Sequence, residues 1–398
     1  MSLKTKIIGL ADEIHNEVVS NRRHLHANPE LSFEEKETSK FVAKQLSDLG
    51  LSPKEGIAGT GVVAHIEGKN PSSKVIALRA DMDALPIIEQ NDVEYKSKNE
   101  GVMHACGHDV HTSSLLGTAR ILQQIKGEFE GTIKLIFQPG EEKAPGGAKK
   151  MIEEGVLKNP APTHVFGQHV MPLIPVGKVG FKEGIYMASA DELYMTVKGK
   201  GGHAAQPHTL VDPILITSHI IIGLQQIVSR NTKATIPSVL SFGHVEAHGA
   251  TNVIPNFVKV KGTFRTLDED WRGEALKRIV KLAKGIAEAM GGSVDFDIVH
   301  GYPFLYNDPN VTKRTRDFAI DYLGKENVVD LDIWMAAEDF AFFSHEVDSC
   351  FYRLGTSNES KGIVSGVHTP TFDIDEDALK ISTGLMAWIA INELSEST

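Results

Sequence analysis

The sequence predicts an α/β fold with a mixed, largely parallel sheet, into which a smaller α+β domain is inserted. Two observations carry this. Through the first 187 residues, short apolar runs bounded by turn residues alternate with amphipathic helical stretches, as in strands joined by crossover helices. From residue 188 the order becomes β-α-β-β-α-β, the ferredoxin-like split, before α/β patterning resumes near residue 302. The expected boundaries are therefore 1–187 with 302–398 for the larger, discontinuous domain, and 188–301 for the insertion.

Taken in order, residues 4–21 have a 3.6-residue apolar rhythm and read as helix until the break at Pro29, and 34–49 form a second amphipathic helix. Residues 62–66 and 75–78 are buried strands. Helix 110–124, strand 132–137, helix 147–154 and strand 165–170 follow. The insertion reads as strand 193–197, helix 212–228, strands 238–245 and 258–264, helix 274–290 and strand 294–299. The chain closes on a helix over 376–394.

Composition removes several function classes. Lys and Arg number 41 against 52 Asp and Glu, a net charge of −11, so the chain lacks the basic face of a nucleic-acid binder. The most apolar helical stretch, 214–224, contains Thr217, Ser218 and His219 and falls short of the ~18 apolar residues of a membrane span. Near the N-terminus Lys4 and Lys6 precede an apolar patch broken by Asp12, Glu13 and His15, an amphipathic helix rather than a secretory signal. Two cysteines, Cys106 and Cys350, form no disulfide framework, which fits a reducing compartment, and a cytoplasmic location is expected.

The chemistry-bearing residues sit at strand ends and adjoining loops of the larger domain. Cys106 and His108 lie in a dense segment before helix 110–124, and on an extended loop they can converge on one ion. Glu141 and Glu142 follow strand 132–137, where functional groups of open α/β sheets gather. Being adjacent, they point in opposite directions, so one can bind metal while the other reaches water. His169 ends strand 165–170, and His368 lies in the loop before the last helix. Cys106, His108, Glu142, His169 and His368 are too many donors for one open tetrahedral ion and suit two ions with a shared ligand. Asp81 and Asp83 can ligate a metal or orient a histidine. In the insertion, Gly-rich 199–202 leads to His203, and Asn252 and Arg265 supply an amide and a guanidinium, the natural partner of a carboxylate. A cysteine amidase with Cys106 as nucleophile and His108 or His111 as base is a competing reading. A non-catalytic binding module is another, and Glu141, a spare base beside the donors, argues against it.

These residues fall in motifs that resemble the dinuclear metallohydrolase family of aminoacylases, hippurate hydrolases, carboxypeptidase G and indole-3-acetyl-amino-acid hydrolases, in its amidohydrolase branch. The motifs run in order as His24-Leu25-His26-Ala27-Asn28-Pro29-Glu30-Leu31, Arg79-Ala80-Asp81-Met82-Asp83, 103–111, 138–142, Gly167-Gln168-His169, Gly202-His203-Ala204-Ala205, Asn252-Val253-Ile254-Pro255 and Glu338-Asp339-Phe340. One departure is Ala336-Ala337, where a Gly-Ser pair often precedes Glu-Asp-Phe. The resemblance implies a mixed-sheet, dinuclear-metal catalytic domain of the zinc-peptidase type with an inserted ferredoxin-like dimerisation domain. It implies two divalent ions (zinc, manganese, cobalt or nickel), bridged by Cys106, with His108 and His169 on one and Glu142 and His368 on the other. It makes Glu141 the general base, and it places His203, Asn252 and Arg265 against the substrate, His203 in the partner subunit's site. It implies an N-acyl amino acid substrate cleaved to a carboxylic acid and an amino acid, and a homodimer. A dipeptidase or carboxypeptidase using the same ions is the alternative.

Overall fold

The computed structural model describes residues 2–396. The chain forms two compact units. One takes the chain up to Tyr186, Tyr306–Ile333 and Asp339 onward; the other takes Met187–Leu305 and Trp334–Glu338.

The first unit opens with two helices, α1 (Leu3–Glu13) and α2 (His15–Ala27), where the apolar rhythm suggests one. The break falls at Ile14, and α2 runs on to Ala27 because Pro29 is the first residue that cannot continue it. Helix α3 (Lys36–Asp48) and strands β1 (Lys54–Ile57), β2 (Gly61–Glu67) and β3 (Val75–Asp81) follow. Helix α4 (His108–Gln124) is almost wholly buried, and β4 (Thr132–Gln138) is buried throughout. Helix α5 (Gly147–Glu153), β5 (His164–Pro175), β6 (Val179–Phe181) and β7 (Gly184–Met187) complete this stretch.

The second unit is built on β8 (Asp191–Lys198), the short β9 (Gly202–His203), α6 (Pro213–Gln226), β10 (Ser238–Glu246), the short β11 (Val253–Ile254), β12 (Phe257–Thr266), α7 (Glu269–Ala289) and β13 (Ser293–His300). Its four-stranded sheet has the order β10-β12-β8-β13, every pair antiparallel. With α6 and α7 as crossovers this is the ferredoxin-like arrangement. Helix α6 starts on Asp212, whose carboxylate accepts from the backbone N–H groups of Ile214 and Leu215, with Pro213 first in the helix. Helix α7 starts five residues earlier than its apolar rhythm suggests, because Asp268 caps the Trp271 N–H at 2.7 Å. Leu193, Val197, Ile220, Val258, Phe264, Ile279 and Ala283 form its core. Trp334–Glu338 joins this unit through a bridge between Met187 and Trp334 and the Ala188 N–H bond to Ala336 O, 2.9 Å. No local pattern marks so distant a return.

The chain then gives β14 (Leu305–Asn307), α8 (Pro309–Leu323), β15 (Val328–Asp330), α9 (Ala341–Glu346), β16 (Ser349–Ser357) and α10 (Asp377–Ser395). The first unit's sheet has eight strands in the order β1-β2-β4-β3-β5-β16-β6-β15. The central run β4-β3-β5-β16 is parallel, with antiparallel pairs at β1-β2, β2-β4 and β16-β6. Helices α4 and α10 pack together, and Val62, Leu78, Leu115, Leu135, Phe166, Tyr352 and Leu385 are among the core. The carboxyl ends of the parallel strands therefore lie side by side along one edge of the sheet.

Candidate metal centre

Strand β3 ends at Asp81, with Asp83 two residues on; β4 ends at Gln138, just before Glu141 and Glu142. Cys106 and Gly107 form the turn into α4, and His108 is the helix's first residue. Gly107 has φ +85°, and a Cβ there would meet Val170 Cγ2 at 2.6 Å, so the turn takes this path only with glycine. His169 lies inside β5, not at its end as the sequence suggests. The β3–β5 pairing stops at Arg79–Gly167, so β5 runs on past the end of β3 and carries His169 to the same edge. His368 adopts φ +60°, and its N–H bonds Ala105 O at 2.7 Å, drawing the C-terminal loop against Cys106.

The five donors converge. Cys106 Sγ lies 3.3 Å from His169 Nε2 and 3.2 Å from His368 Nε2. His368 Nε2 is 3.2 Å from Glu142 Oε1, and His108 Nε2 is 4.0 Å from that same oxygen. Cys106, His108 and His169 present donor atoms within 4.8 Å of one another, and so do Cys106, Glu142 and His368. Cys106 belongs to both groups.

Hydrogen bonds fix which ring nitrogens are available. His169 Nδ1–H donates to Val170 O at 2.8 Å, and His108 Nδ1–H donates to Asp83 Oδ1 at 3.2 Å. Each Nε2 is left as the ligating atom, the arrangement found when an outer carboxylate or carbonyl orients a metal-binding imidazole. His111 differs. Its Nδ1–H donates to Asp81 Oδ1 at 2.6 Å and its Nε2 accepts the Val170 N–H at 2.9 Å, so neither nitrogen can act as a base.

Asp83 organises both sides of the site. It accepts from Ser32 Oγ (2.6 Å) and from the backbone N–H groups of Glu142 (3.0 Å) and Glu141 (3.1 Å), as well as from His108. Asp81 is held by the Arg79 guanidinium at 2.6 Å, which also reaches Asp339 at 2.8 Å. Gln138 bonds both Arg79 and Asp339, and the Asp339 N–H lies 3.3 Å from Glu141 Oε1. The roles of Ser32, Arg79, Gln138 and Asp339 escape sequence reasoning because their partners lie up to 260 residues away. The same holds for Arg22 and His26, which clamp Asp109 at 2.8 Å each. Alternation along β3 placing two acids just beyond an apolar run is the one local hint.

The field is strongly negative. Burial opposes charge on His108, yet Asp81, Asp83 and Glu142 outweigh it and lift its pKa to about 10. Burial, then the charges of Glu142, Glu141 and Asp81, push the Cys106 thiol well above its usual range. Burial, reinforced by Arg353, keeps His169 neutral. Such a thiol is no free nucleophile; it ionises only beside a cation. Buried His108 Nε2 has no hydrogen-bond partner although it is a strong donor to metal. An unpaired buried imidazole nitrogen beside a soft sulfur, further imidazoles and a carboxylate fits divalent metal of the zinc type.

In the second unit, His203 and Asn252 lie together: His203 pairs with Val253, and the Ala204 N–H bonds Asn252 O at 3.0 Å. Arg265 lies on β12, its guanidinium 3.3 Å from Met335 O, and no bond joins it to either residue.

The family model for peptidase family M20/M25/M40 matches residues 77–392. An IAA-amino acid hydrolase (ILR1-like 5) of Arabidopsis thaliana is 39% identical over 386 residues, covering 96% of this chain and 87% of that protein. An N-acetylcysteine deacetylase of Bacillus subtilis is 38% identical over 384 residues, covering 96% and 98%. The crystal structure of the Bacillus subtilis YXEP protein, described as a dinuclear metal binding peptidase from the M20 family, superposes with a TM-score of 0.82 at 35% identity over 97% of this chain and 99% of that one. With donors converging at the sheet edge and relatives matching almost end to end, the chain belongs to peptidase family M20/M25/M40.

Proposed function

We propose that the chain is a metal-dependent amidohydrolase that cleaves N-acyl amino acids to a carboxylic acid and an amino acid. The carrying observation is Glu141, a carboxylate beside two overlapping donor triads that is not needed to fill either. Cys106, His108 and His169 would hold one divalent ion, and Cys106, Glu142 and His368 the other, zinc, manganese, cobalt and nickel all suiting the set. When bound, the ions supply Lewis acidity, polarising the amide carbonyl and making water acidic. Glu141 accepts the proton of the attacking water and returns it to the leaving amine. His203 donates a hydrogen bond to the tetrahedral oxyanion. Asn252 and Arg265 hold the carboxylate of the amino-acid half, while Asp81 and Asp83 orient the site from behind.

The relatives named for IAA-amino acid and N-acetylcysteine substrates support this substrate class. The peptidase description of the superposed structure supports a second reading, a dipeptidase or carboxypeptidase on the same ions. No helix among the described residues is long and apolar enough to cross a membrane. Both cysteines are free, which supports a cytoplasmic setting. Residues 188–301 are the proposed dimer contact, supported by exposed Ile214, Leu215 and Ile222 on α6. Size-exclusion chromatography with light scattering checks this, and a monomer would exclude it.

The test is a panel of N-acetyl, N-benzoyl and indole-acetyl amino acids beside dipeptides, with added divalent metal and an EDTA control. Glu141→Ala should keep wild-type metal content and lose at least about 10²-fold in kcat. Normal turnover by that variant would overturn the assignment.

A further inference from the structure

We infer that Glu35 is a positioning residue for Glu141: its buried carboxylate holds the peptide N–H that directly precedes the proposed base, through bonds that involve none of the five metal donors. The inference rests on the reading of Glu141 as the general base and names what fixes its place.

Glu35 stands just before α3 and is fully buried. Its Oε1 accepts the Gly140 N–H and the Phe33 N–H, each at 2.8 Å, and its Oε2 accepts the Thr60 hydroxyl at 2.6 Å. The three donors are uncharged and come from separate stretches of chain: the approach to α3, the turn before β2 and the loop after β4. One carboxylate reaches all of them only while they keep a fixed spacing. Burial raises its pKa, opposed by the bond from Thr60. Each bond asks only for an acceptor oxygen, so the role is one of shape rather than of charge.

The loop it holds has little freedom elsewhere. The N–H groups of Gly140, Glu141 and Glu142 follow one another, and all bond carboxylates, the first Glu35 and the other two Asp83 at 3.1 and 3.0 Å. The Gly147 N–H bonds Gly140 O at 3.0 Å, which fixes the same residue from its other side. Gly140 has φ +60°, and a Cβ there would fall 2.4 Å from the Phe33 ring. Phe33 itself has φ +66°, a conformation that costs a bulky residue energy and persists only where its surroundings enforce it. Its N–H bond to Glu35 does so, and the Lys150 ammonium lies 3.7 Å from the centre of its ring. Ser32, one residue earlier, bonds Asp83 at 2.6 Å, so the segment 32–35 ties the two carboxylates together.

The two anchors differ in what they touch. Asp83 bonds the ring of His108 and the N–H of Glu142, so its loss reaches the metal ligands directly. Glu35 bonds the loop on the base's side, at Gly140. Removing it frees the Gly140 peptide to turn, and the carboxylate one residue on moves with it. A reacting group misplaced by about 1 Å can lose about 10²-fold in rate.

The test compares three variants at Glu35 with Glu141→Ala, all metal-loaded, on the N-acyl amino acid that wild type turns over fastest, with metal content from elemental analysis. Glu35→Ala should keep wild-type metal content and a KM within about threefold of wild type, and lose about 10²-fold in kcat. Glu35→Gln should stay within about threefold of wild type in kcat, because the amide oxygen can accept both N–H groups and the Thr60 hydroxyl can turn to accept from the amide NH2. Glu35→Asp keeps the charge but falls one methylene short of spanning Thr60 and Gly140. It should lose about tenfold in kcat with metal and KM unchanged, and it carries the test if the alanine variant does not fold. Wild-type kcat in Glu35→Asp and in any folded Glu35→Ala overturns the inference. So does a loss that comes with loss of metal, a raised KM at unchanged kcat, or a Glu35→Gln as damaged as the other two. If Glu141→Ala is inactive while the Glu35 variants turn over normally, this inference alone fails. If Glu141→Ala itself turns over normally, the reading of Glu141 fails and this inference with it.

Discussion

Asp83→Asn removes one charge and one acceptor while keeping the volume of the side chain. The carboxylate has four donors within 3.2 Å: Ser32 Oγ, the N–H groups of Glu141 and Glu142, and His108 Nδ1. An asparagine oxygen can retain His108 and the Glu141 N–H. Its NH2 then faces Ser32, whose hydroxyl can turn to accept, and the Glu142 N–H, which cannot. Leaving that buried N–H unpaired costs about 1–3 kcal/mol. The two retained bonds lose their charge assistance, roughly half their strength. The sum is about 3 kcal/mol in the metal-free protein. Loss of an outer partner of a metal-binding histidine weakens metal about 10–100-fold. Because Glu141 and Glu142 share this anchor, turnover at saturating metal should also fall, by about tenfold or more. Urea unfolding of the metal-free proteins, chelator-competition titration and steady-state kinetics measure the three effects. A variant with wild-type metal affinity and wild-type unfolding midpoint would refute the view that Asp83 holds the site together.

Two further outcomes follow from the geometry. Gly107→Ala forces a Cβ to 2.6 Å from Val170 Cγ2 at φ +85°; it should destabilise by about 2–4 kcal/mol and lower metal content, measured by thermal unfolding and elemental analysis. If the variant loads metal normally, the glycine is not what shapes the turn. Glu393, buried beside His164 (3.0 Å), Arg314 (2.9 Å) and Lys74 (3.3 Å), has its pKa drawn down to about 2 because these partners outweigh the opposing effect of burial. A depressed carboxylate stabilises the fold above its ordinary pKa of 4.5 and loses that contribution as pH falls towards about 2. Glu393→Gln should therefore cost about 3 kcal/mol at pH 7 and progressively less below pH ~4.5, read from urea midpoints. A constant difference across that range would contradict it.

Local pattern carried much of this molecule. Strand ends placed Cys106, Glu141, Glu142 and His169 in one domain, and the alternation of β8, β10, β12 and β13 marked the second unit. What stayed hidden depends on contacts between distant residues. Strand β16 is buried on both faces, so it shows no alternation, and its place between β5 and β6 is a matter of pairing. Helix α8, by contrast, begins at an Asp308 cap followed by Pro309, a local start signal that the sequence does carry. His111 sits about one helical turn beyond His108 and in the sequence is a candidate base for a cysteine amidase; only its bonds to Asp81 and the Val170 N–H reveal a ring with no nitrogen to spare. Asp83, which the sequence offers as a metal ligand or as the orienter of a histidine, is the point where His108, Glu141 and Glu142 meet.

The separation of 262 residues between Cys106 and His368 has a consequence for the life history of the molecule. During synthesis the stretch bearing Cys106, His108, Glu142 and His169 leaves the ribosome while the whole second unit is still to be made. Strand β16, which pairs with the strand carrying His169, and the loop bearing His368 come later still. A nascent chain therefore carries one donor triad well before it can complete the other. On the proposed ligand set, the second triad is complete only once the loop bearing His368, which follows β16, has been made.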